Sequence, residues 1–334
     1  MSKPVTVIIV NYNGGRLLLD CLGALQRQSL GHAVVVVDNR STDGSAQVAH
    51  DEYPEARLLP LRHNVGFARA VNIAASRLCD SNGIVVTLNP DAVPEPEFLE
   101  QLLRPFETDP SVGAAAGTLV FASNRSIIAS SGIVVHRNGV ALDARLGEQW
   151  APGSSRPVFG ASAGAAAYRV RALRDAGWFP DQFFLYLEDV DLAWRLRLRG
   201  WQTVSVPDAV ATHAYSASAV EGSPLKRRLL ARNRVWTLAR CLPTECWKRD
   251  RLHIVGFDTV AVGHAVVNAD LAALRGRSEG FAGLPLRLHE RRFVQSRARV
   301  NAHAIEPWIL PPVSLTRLLR LRQLTAELSL GVRG

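Results

Sequence analysis

Four short runs rich in Val, Ile and Leu, separated by helical stretches, constrain this chain more than any other feature. The runs are Val5–Val10, Ala33–Val37, Arg57–Leu61 and Gly83–Leu88. Between them lie Leu17–Gln28, Gly44–Glu52 and Ala68–Cys79, all of helical character. Three of the runs are nearly unbroken apolar segments, the pattern of parallel strands covered on both faces. Strand, helix, strand, helix predicts an α/β fold: a Rossmann-like, mostly parallel sheet with right-handed crossovers. Ligands in such sheets bind beyond the carboxyl ends of the strands, so the residues just after each strand carry the chemistry.

Pro94–Phe106 reads as a further helix, opened by Pro94 with Glu95 and Glu97 at its positive end. Residues 113–165 read as strands and loops. Arg169–Ala176 and Val190–Arg199 read as helices, Gly200 as a helix C-cap and Gln202–Val206 as a strand. Beyond His213 the pattern turns helical and rich in Arg. A boundary near 218–225, around Gly222-Ser223-Pro224, divides the chain into an α/β domain, 1–220, and a basic, mainly helical extension, 221–334.

The two parts differ in charge. Residues 1–221 hold 19 Lys/Arg against 22 Asp/Glu, and residues 222–334 hold 20 against 8, so nets of −3 and +12. A basic module of this kind meets anionic lipid, nucleic acid or phosphate. The four cysteines form no CxxC pair, which predicts reduced structural thiols in a cytosolic protein. Val5–Val10 is followed by Asn11-Tyr12-Asn13 with no small-residue cleavage site, which predicts no signal peptide. No 18-residue uncharged apolar run occurs, which predicts no membrane span; Ile254–Ala269 comes nearest and is broken by Asp258 and His264.

At the strand ends, Val10 leads into Asn11-Tyr12-Asn13-Gly14-Gly15, and Val37 into Asp38-Asn39-Arg40-Ser41-Thr42-Asp43-Gly44-Ser45. Asp38 suits hydrogen bonds from a ribose diol or a base N–H. Asp43 belongs to the turn that caps the next helix. Leu88 leads into Asn89-Pro90-Asp91. Alone this is a turn. At a strand end, Asp91 suits a hard divalent cation bridging two phosphates, with Asn89 lending a carbonyl oxygen or binding the donor. Glu188, Asp189 and Asp191 put three carboxylates in four residues after an apolar and aromatic run. At a helix start the N-terminal dipole would keep such a group ionised. Asp191 pairs with Arg195 four residues on and is structural. Glu188 or Asp189 remains to take a proton. His213 follows the last strand and is placed to return to the rim near Asp91; as a ligand it favours Mn2+ alongside Mg2+.

This ordered set resembles the family-2 glycosyltransferases, particularly their bacterial rhamnosyltransferase-like branch. The matching residues are Val7–Asn13, Val37-Asp38-Asn39 through Ser45, and Asn64-Val65-Gly66-Phe67-Ala68 with Asn72. They continue through Leu88–Asp91, Gly164–Arg169, Phe184–Asp191, Gly200-Trp201 and His213, over roughly residues 4–215. The resemblance implies a GT-A domain and an inverting, metal-dependent transferase using Mg2+ or Mn2+. It implies that Asn11, Asn13, Asp38, Asn64, Gly66, Asn72, Asn89 and Asp91 face the nucleotide-sugar donor. Asp91 and His213 hold the metal, Asn89-Pro90-Asp91 standing at the family's Asp-x-Asp position. Asp189 is the general base, Glu188 supports it or orients the acceptor, and Gly164 and Ala165 lie on the acceptor side. Asn89 replaces the first Asp of that motif, one carboxylate fewer for the metal. The Gln-x-x-Arg-Trp motif of processive synthases is missing after His213, which predicts transfer of one or a few sugars.

In the basic third, Lys226–Trp236 and Arg317–Arg322 interleave Arg with apolar residues. Helical spacing gives these segments one apolar and one cationic face, as at a membrane surface. Trp236, Trp247 and Trp308 are placed to sit at headgroup depth. The other reading is a helical extension packed on the catalytic domain. Nucleic acid is not expected as a partner, since no recognised motif accompanies the charge. The expected partners are a nucleotide-sugar donor, which the branch resemblance implies to be dTDP-rhamnose, a lipid-linked or cell-wall glycan acceptor, and an anionic membrane. The expected place is the cytoplasmic face of the plasma membrane. Two other classes compete: a sugar nucleotidyltransferase, and a binding protein without catalysis. The first calls for a Gly-rich loop with a basic residue after strand one, which Asn13-Gly14-Gly15-Arg16 only faintly imitates.

Overall fold

The computed structural model describes residues 4–214 and 222–330. Its first half follows the alternation: β1 (Val5–Asn11), α1 (Gly15–Gln26), β2 (Ala33–Asp38), α2 (Ser45–Glu52), β3 (Arg57–Pro60), α3 (Phe67–Leu78) and β4 (Ile84–Leu88). β4, β1, β2 and β3 lie side by side and parallel. Every residue of β1 and β4 is buried. The pleat sends Val7 and Ile9 to the layer of α1, and Ile8 and Val10 to the layer of α3. Burial on both faces is why these strands read as unbroken apolar runs.

The helix expected at Pro94–Phe106 is corrected. Ala92–Pro94 is a short strand, β5, and the helix α4 runs Phe98–Thr108. Val93 and Glu95 each precede a proline, and a residue in that position is pushed out of the helical region. The chain therefore stays extended until both prolines are passed. Then come β6 (Val112–Phe121), β7 (Asn124–Ser130), β8 (Ile133–His136), β9 (Ala141–Asp143), β10 (Arg156–Pro157), β11 (Ala165–Arg169), α5 (Val170–Ala176), α6 (Glu188–Leu198) and β12 (Gln202–His213). β11 is inserted antiparallel between β4 and β6, and β12 runs parallel to β6. Its strand was expected to stop at Val206 but reaches His213. The pairing shifts register between Ser205 and Val210, and Pro207-Asp208 at that irregularity hides the continuation from sequence. Gly200 takes φ +81° after α6, the left-handed conformation of a C-cap.

The boundary expected between 220 and 221 lies outside the described residues. Ser223 then caps α7 (Pro224–Cys241), its Oγ accepting from Lys226 N at 3.2 Å. α8 (Thr244–Val267), α9 (Leu271–Ala282), α10 (Leu284–Ser296), α11 (Ala302–Ile305), β13 (Ile309–Leu310) and α12 (Leu315–Leu330) follow. β13 adds a strand to β8 and β9. One apolar cluster joins Val190, Trp194 and Leu198 of α6 to Cys241, Cys246, Ile254, Val294 and Ile305. The helical third therefore shares its core with the α/β part.

The cationic face expected along α7 is not a surface. Arg234 pairs with Asp258 at 2.7 Å, Arg228 with Glu279 at 2.6 Å, and Arg240 with Asp191 at 2.9 Å. Arg232 stacks over Trp236, whose Nε1 donates to Gly280 O at 3.1 Å. Trp308 lies under Arg197. Of the three tryptophans only Trp247 is exposed. Periodicity alone cannot separate a cation facing a membrane from one facing a carboxylate on the next helix.

Candidate active site

The carboxyl ends of β4 and β12 bring three polar side chains together. Asp91 Oδ1 lies 3.0 Å from His213 Nε2, and Asn89 Nδ2 lies 3.2 Å from the same nitrogen. Asp91 and His213 are both buried. The meeting is built by the sheet, because His213 pairs with Ala92 of β5 next to Asp91. Gly164 O accepts from Asn89 N at 2.9 Å, and a Cβ at Gly164 would crowd the Asn89 amide at 3.1 Å. Gly164 thus leaves room for Asn89.

These atoms line a cavity of about 770 Å3 that also holds Asn64, Gly66, Gly164, Glu188 and Asp189. Glu188, Asp189 and Asp191 stand in the first turn of α6, as the clustering of carboxylates predicts. Asp189 Oδ2 accepts from Ala163 N at 3.1 Å and Oδ1 from Val190 N at 2.8 Å. Burial pushes Asp189 up to about 6, against the hydrogen bond from Ala163; the charge of Asp143 adds to the rise. Burial, with the charge of Asp189 added, pushes Glu188 well above the carboxylate range. At Glu188 desolvation therefore works against the helix dipole, which favours the ionised form. Asp191 is buried too, yet Arg240 and Arg195 hold it below its ordinary value. Its bond to Arg195 Nε is 2.7 Å, the structural role read from sequence.

The segment before α6 is strained. Phe184 has φ +67° and ψ −63°, and Leu185 N donates to Phe183 O at 2.8 Å, which makes a γ-turn of the rare positive-φ kind. Tyr186 and Leu187 also have positive φ, 68° and 62°. Each such non-glycine residue costs of order 1–3 kcal/mol and persists only where its surroundings enforce it. Gly66 (φ +81°) packs against this turn so closely that a Cβ would lie 2.3 Å from Phe184 O. Phe67 N donates to that same oxygen at 2.6 Å. The 64–67 loop and the carboxylate loop are one packed unit.

Other residues expected to face ligands turn out to be occupied within the protein. Asn11 is fully buried, its amide donating to Ser41 and Ser45 and accepting from Gly14 N. Asn72 ties α3 to Phe179 and Asp181. Asn13 Oδ1 accepts from Thr42 N. Asp38 Oδ1 accepts from Ser41 N at the end of β2. Ala165 lies inside the sheet, its methyl in the core below the cavity. Asn11, Asn13, Asp38, Asn72 and Ala165 are not among the residues that line the cavity. Sequence reading missed Asn39, which lines the cavity and holds Asn64 and Val65, and Ala163, whose N–H meets Asp189. It also missed Tyr12, exposed at the end of β1 on the cavity wall. An asparagine that orders a loop and an alanine acting through its backbone carry no side-chain signal.

The model of glycosyl transferase family 2 matches residues 6–175. This chain belongs to that family. It is a nucleotide-sugar-dependent glycosyltransferase with a GT-A-type sheet, which sets aside the nucleotidyltransferase and the non-catalytic binding protein. The glycosyltransferase is 31% identical over 236 residues to N-acetylglucosaminyl-diphospho-decaprenol L-rhamnosyltransferase of Mycobacterium tuberculosis, covering 64% of this chain and 76% of that protein. In fold it is similar to a mannosyltransferase from Pyrobaculum calidifontis in complex with GDP-Man and Mn2+, with a TM-score of 0.52, 20% identity and 99% and 86% of the two chains covered. It is likewise similar to GalNAc-T7 with UDP, GalNAc and Mn2+, with a TM-score of 0.61, 13% identity and 94% and 59% covered. The family match stops at residue 175, before Glu188, Asp189 and His213.

Proposed function

We propose that this glycosyltransferase inverts the anomeric centre in a single displacement with Asp189 as general base. The observation that carries this is the cavity itself: Asp189, raised to about 6, opens into the same space as Asn89, Asp91 and His213. A base of that strength is ionised at neutral pH yet close enough to it to accept a proton well. Asp189 takes the proton of the acceptor hydroxyl. That oxygen forms its bond to the anomeric carbon, and the bond to the diphosphate oxygen breaks with its electron pair leaving on the nucleoside diphosphate. Glu188, whose burial disfavours its charged form, supports Asp189 or orients the acceptor from the same cavity.

Asp91 and His213 would hold Mg2+ or Mn2+: a carboxylate oxygen and an imidazole nitrogen 3.0 Å apart, with the Asn89 amide beside them, make a donor set that suits such an ion. Turning the Asn89 amide over sets its oxygen where Nδ2 stands. Among the described residues no three His, Cys, Asp or Glu are placed to hold a metal ion together, and oxygens of the donor diphosphate would add to Asp91 and His213. When bound, the ion supplies neutralising charge to the leaving diphosphate. Asn64, Gly66 and Asn89 frame the donor on the side of β1 and β4. The proposed donor is dTDP-rhamnose, on the likeness to the L-rhamnosyltransferase.

The acceptor we propose is lipid-linked. The cavity continues between α7, α8 and α12, where Leu225, Leu230, Phe257, Leu318 and Leu321 make an apolar wall beside Lys226 and Arg322. Such a wall suits a hydrocarbon chain, and the cations suit its phosphate. In this reading residues 222–330 form the acceptor half of the site. No helix among the described residues is long and apolar enough to cross a membrane. Peripheral binding to the cytoplasmic face instead falls to α8, whose outer stripe carries Leu252, Val255 and Val266, all more than half exposed, after Lys248 and Arg251.

The test is nucleoside diphosphate release from a panel of nucleotide sugars with Mn2+, with and without bacterial lipid extract, for wild type and Asp189→Asn. One donor should respond, the extract should stimulate it, and Asp189→Asn should abolish it. Equal release by Asp189→Asn would sink the assignment of the base. Indifference to the extract would sink the lipid-linked acceptor.

A further inference from the structure

We infer that Asn233, on the helical third, is the positioning residue that sets the geometry of the catalytic loop. The inference rests on Asp189 being the base. Asn233 is fully buried in the middle of α7. Its Nδ2 donates to three backbone carbonyls of one loop: Phe183 at 3.1 Å, Leu185 at 3.0 Å and Tyr186 at 2.7 Å. Two hydrogens serve three acceptors, so one is shared. Its Oδ1 accepts from Arg232 Nε at 2.9 Å, and Arg232 Nη2 donates to Phe183 O at 2.8 Å. The amide has one workable orientation, because the reversed amide would turn its oxygen on three carbonyl oxygens.

The loop has no glycine to relieve it, though Phe184, Tyr186 and Leu187 all sit at positive φ. Its carbonyls are nonetheless all bonded. Phe184 O receives Phe67 N, Leu187 O receives Asp191 N, and the other three receive Asn233. An unpaired buried carbonyl is costly, so this complete pairing selects the strained path over a relaxed one. Glu188 and Asp189 follow directly. The donor-side loop is coupled to the same turn at Gly66 and Phe67 through Phe184, whereas Asn233 bonds Phe183, Leu185 and Tyr186. Asn233 therefore acts on the base through the carbonyls of residues 183, 185 and 186.

The experiment uses the full chain with Asn233→Asp, Asn233→Ala and Arg232→Ala, the last removing the neighbouring support from a half-buried position. For each, kcat, donor affinity by calorimetry, thermal midpoint and the pH dependence of kcat/KM are measured beside wild type and Asp189→Asn. The expected result is a fall in kcat of about a hundredfold for Asn233→Asp, with donor affinity within about twofold of wild type, the scale of a small misplacement of a reacting group. Arg232→Ala should fall less in the same direction. The acidic limb of the pH profile should move to lower pH, because a loosened loop lets water reach Asp189. Unchanged kcat in Asn233→Asp and Arg232→Ala would overturn the inference. So would losses that track the folded fraction with an unmoved pH limb, which mark a merely structural residue. Full activity of Asp189→Asn would instead overturn the assignment of the base, whatever the Asn233 variants do.

Discussion

Arg240, near the end of α7, donates to the buried carboxylate of Asp191 at 2.9 Å, and Arg195 of α6 donates to its other oxygen at 2.7 Å. Cys241 Sγ lies 3.3 Å from the same carboxylate. One anion at the start of the catalytic helix thus binds a cation from each half of the chain. Removing one partner of a buried pair leaves a charge stranded, at a cost of about 3–5 kcal/mol. Arg240→Met should therefore lower the unfolding free energy by about 3 kcal/mol, Arg195 retaining part of the pairing, as read from urea midpoints. Residues 1–221 expressed alone should fail to give a cooperative thermal transition. A stable, cooperative fragment would mean that the α/β part folds without the core it shares with the helical third.

Asp189 sets a pH dependence whose sign follows from its raised value. The base works only when ionised, so kcat/KM should climb as pH rises through about 6 and then level. Stability moves the other way. A carboxyl raised in the folded state from 3.8 to about 6 binds its proton more tightly folded than unfolded. Its contribution is present below 3.8 and is lost as pH rises from there through about 6. Urea midpoints of wild type minus those of Asp189→Asn should fall across that window. A flat difference would mean that burial does not perturb this group.

Asp91 and His213 should matter for the donor only when a divalent ion is present. Asp91→Asn and His213→Ala should each weaken nucleoside diphosphate binding in Mn2+ by about tenfold or more, the scale of disturbing a metal's ligand shell. In chelator the variants and wild type should bind alike. Calorimetry in both buffers decides this, and equal losses in the two would assign these residues to the nucleotide itself.

Leu318 lines the apolar part of the cavity and is remote from the polar cluster in sequence. Leu318→Arg places a charge where a hydrocarbon chain is expected, at a cost of a few kcal/mol. Turnover of a lipid-linked acceptor should drop about 10–100-fold, by the usual conversion of free energy to rate. Turnover of a water-soluble acceptor with the same sugar should change little. Equal effects on both acceptors would remove the lipid from this wall.

A single-site change at Gly66 tests the packed unit of the two loops. Gly66→Ala meets Phe184 O and a backbone conformation at φ +81°. Both donor affinity and kcat should fall together, unlike the split expected for the Asn233 variants. Isothermal binding and steady-state rates measured on the same preparation separate the two patterns.

The alternation of strands and helices, the parallel pairing of the first four strands and the clustering of Glu188, Asp189 and Asp191 at a helix start were legible in sequence. Each rests on short-range chemistry: a pleat of period two, a helix of period 3.6, and carboxylates at the positive end of a helix. Asp191 could be assigned to Arg195 because the two stand one helical turn apart. Only the tertiary structure decided the rest. Asn233 was read as part of a cationic, amphipathic stretch, and Arg240 lay beyond it with no role assigned; both prove to face inward, Arg240 on Asp191 and Asn233 on the 183–186 carbonyls. Asn11 and Asn72 sit in family-like motifs yet bond within the protein. The upward shifts of Asp189 and Glu188 depend on how much water the folded chain excludes. Periodicity tells which face a side chain is on, while the partner across that face is set by packing between segments dozens of residues apart. The charge, strain and hydrogen bonding that make the site belong to that second kind of information.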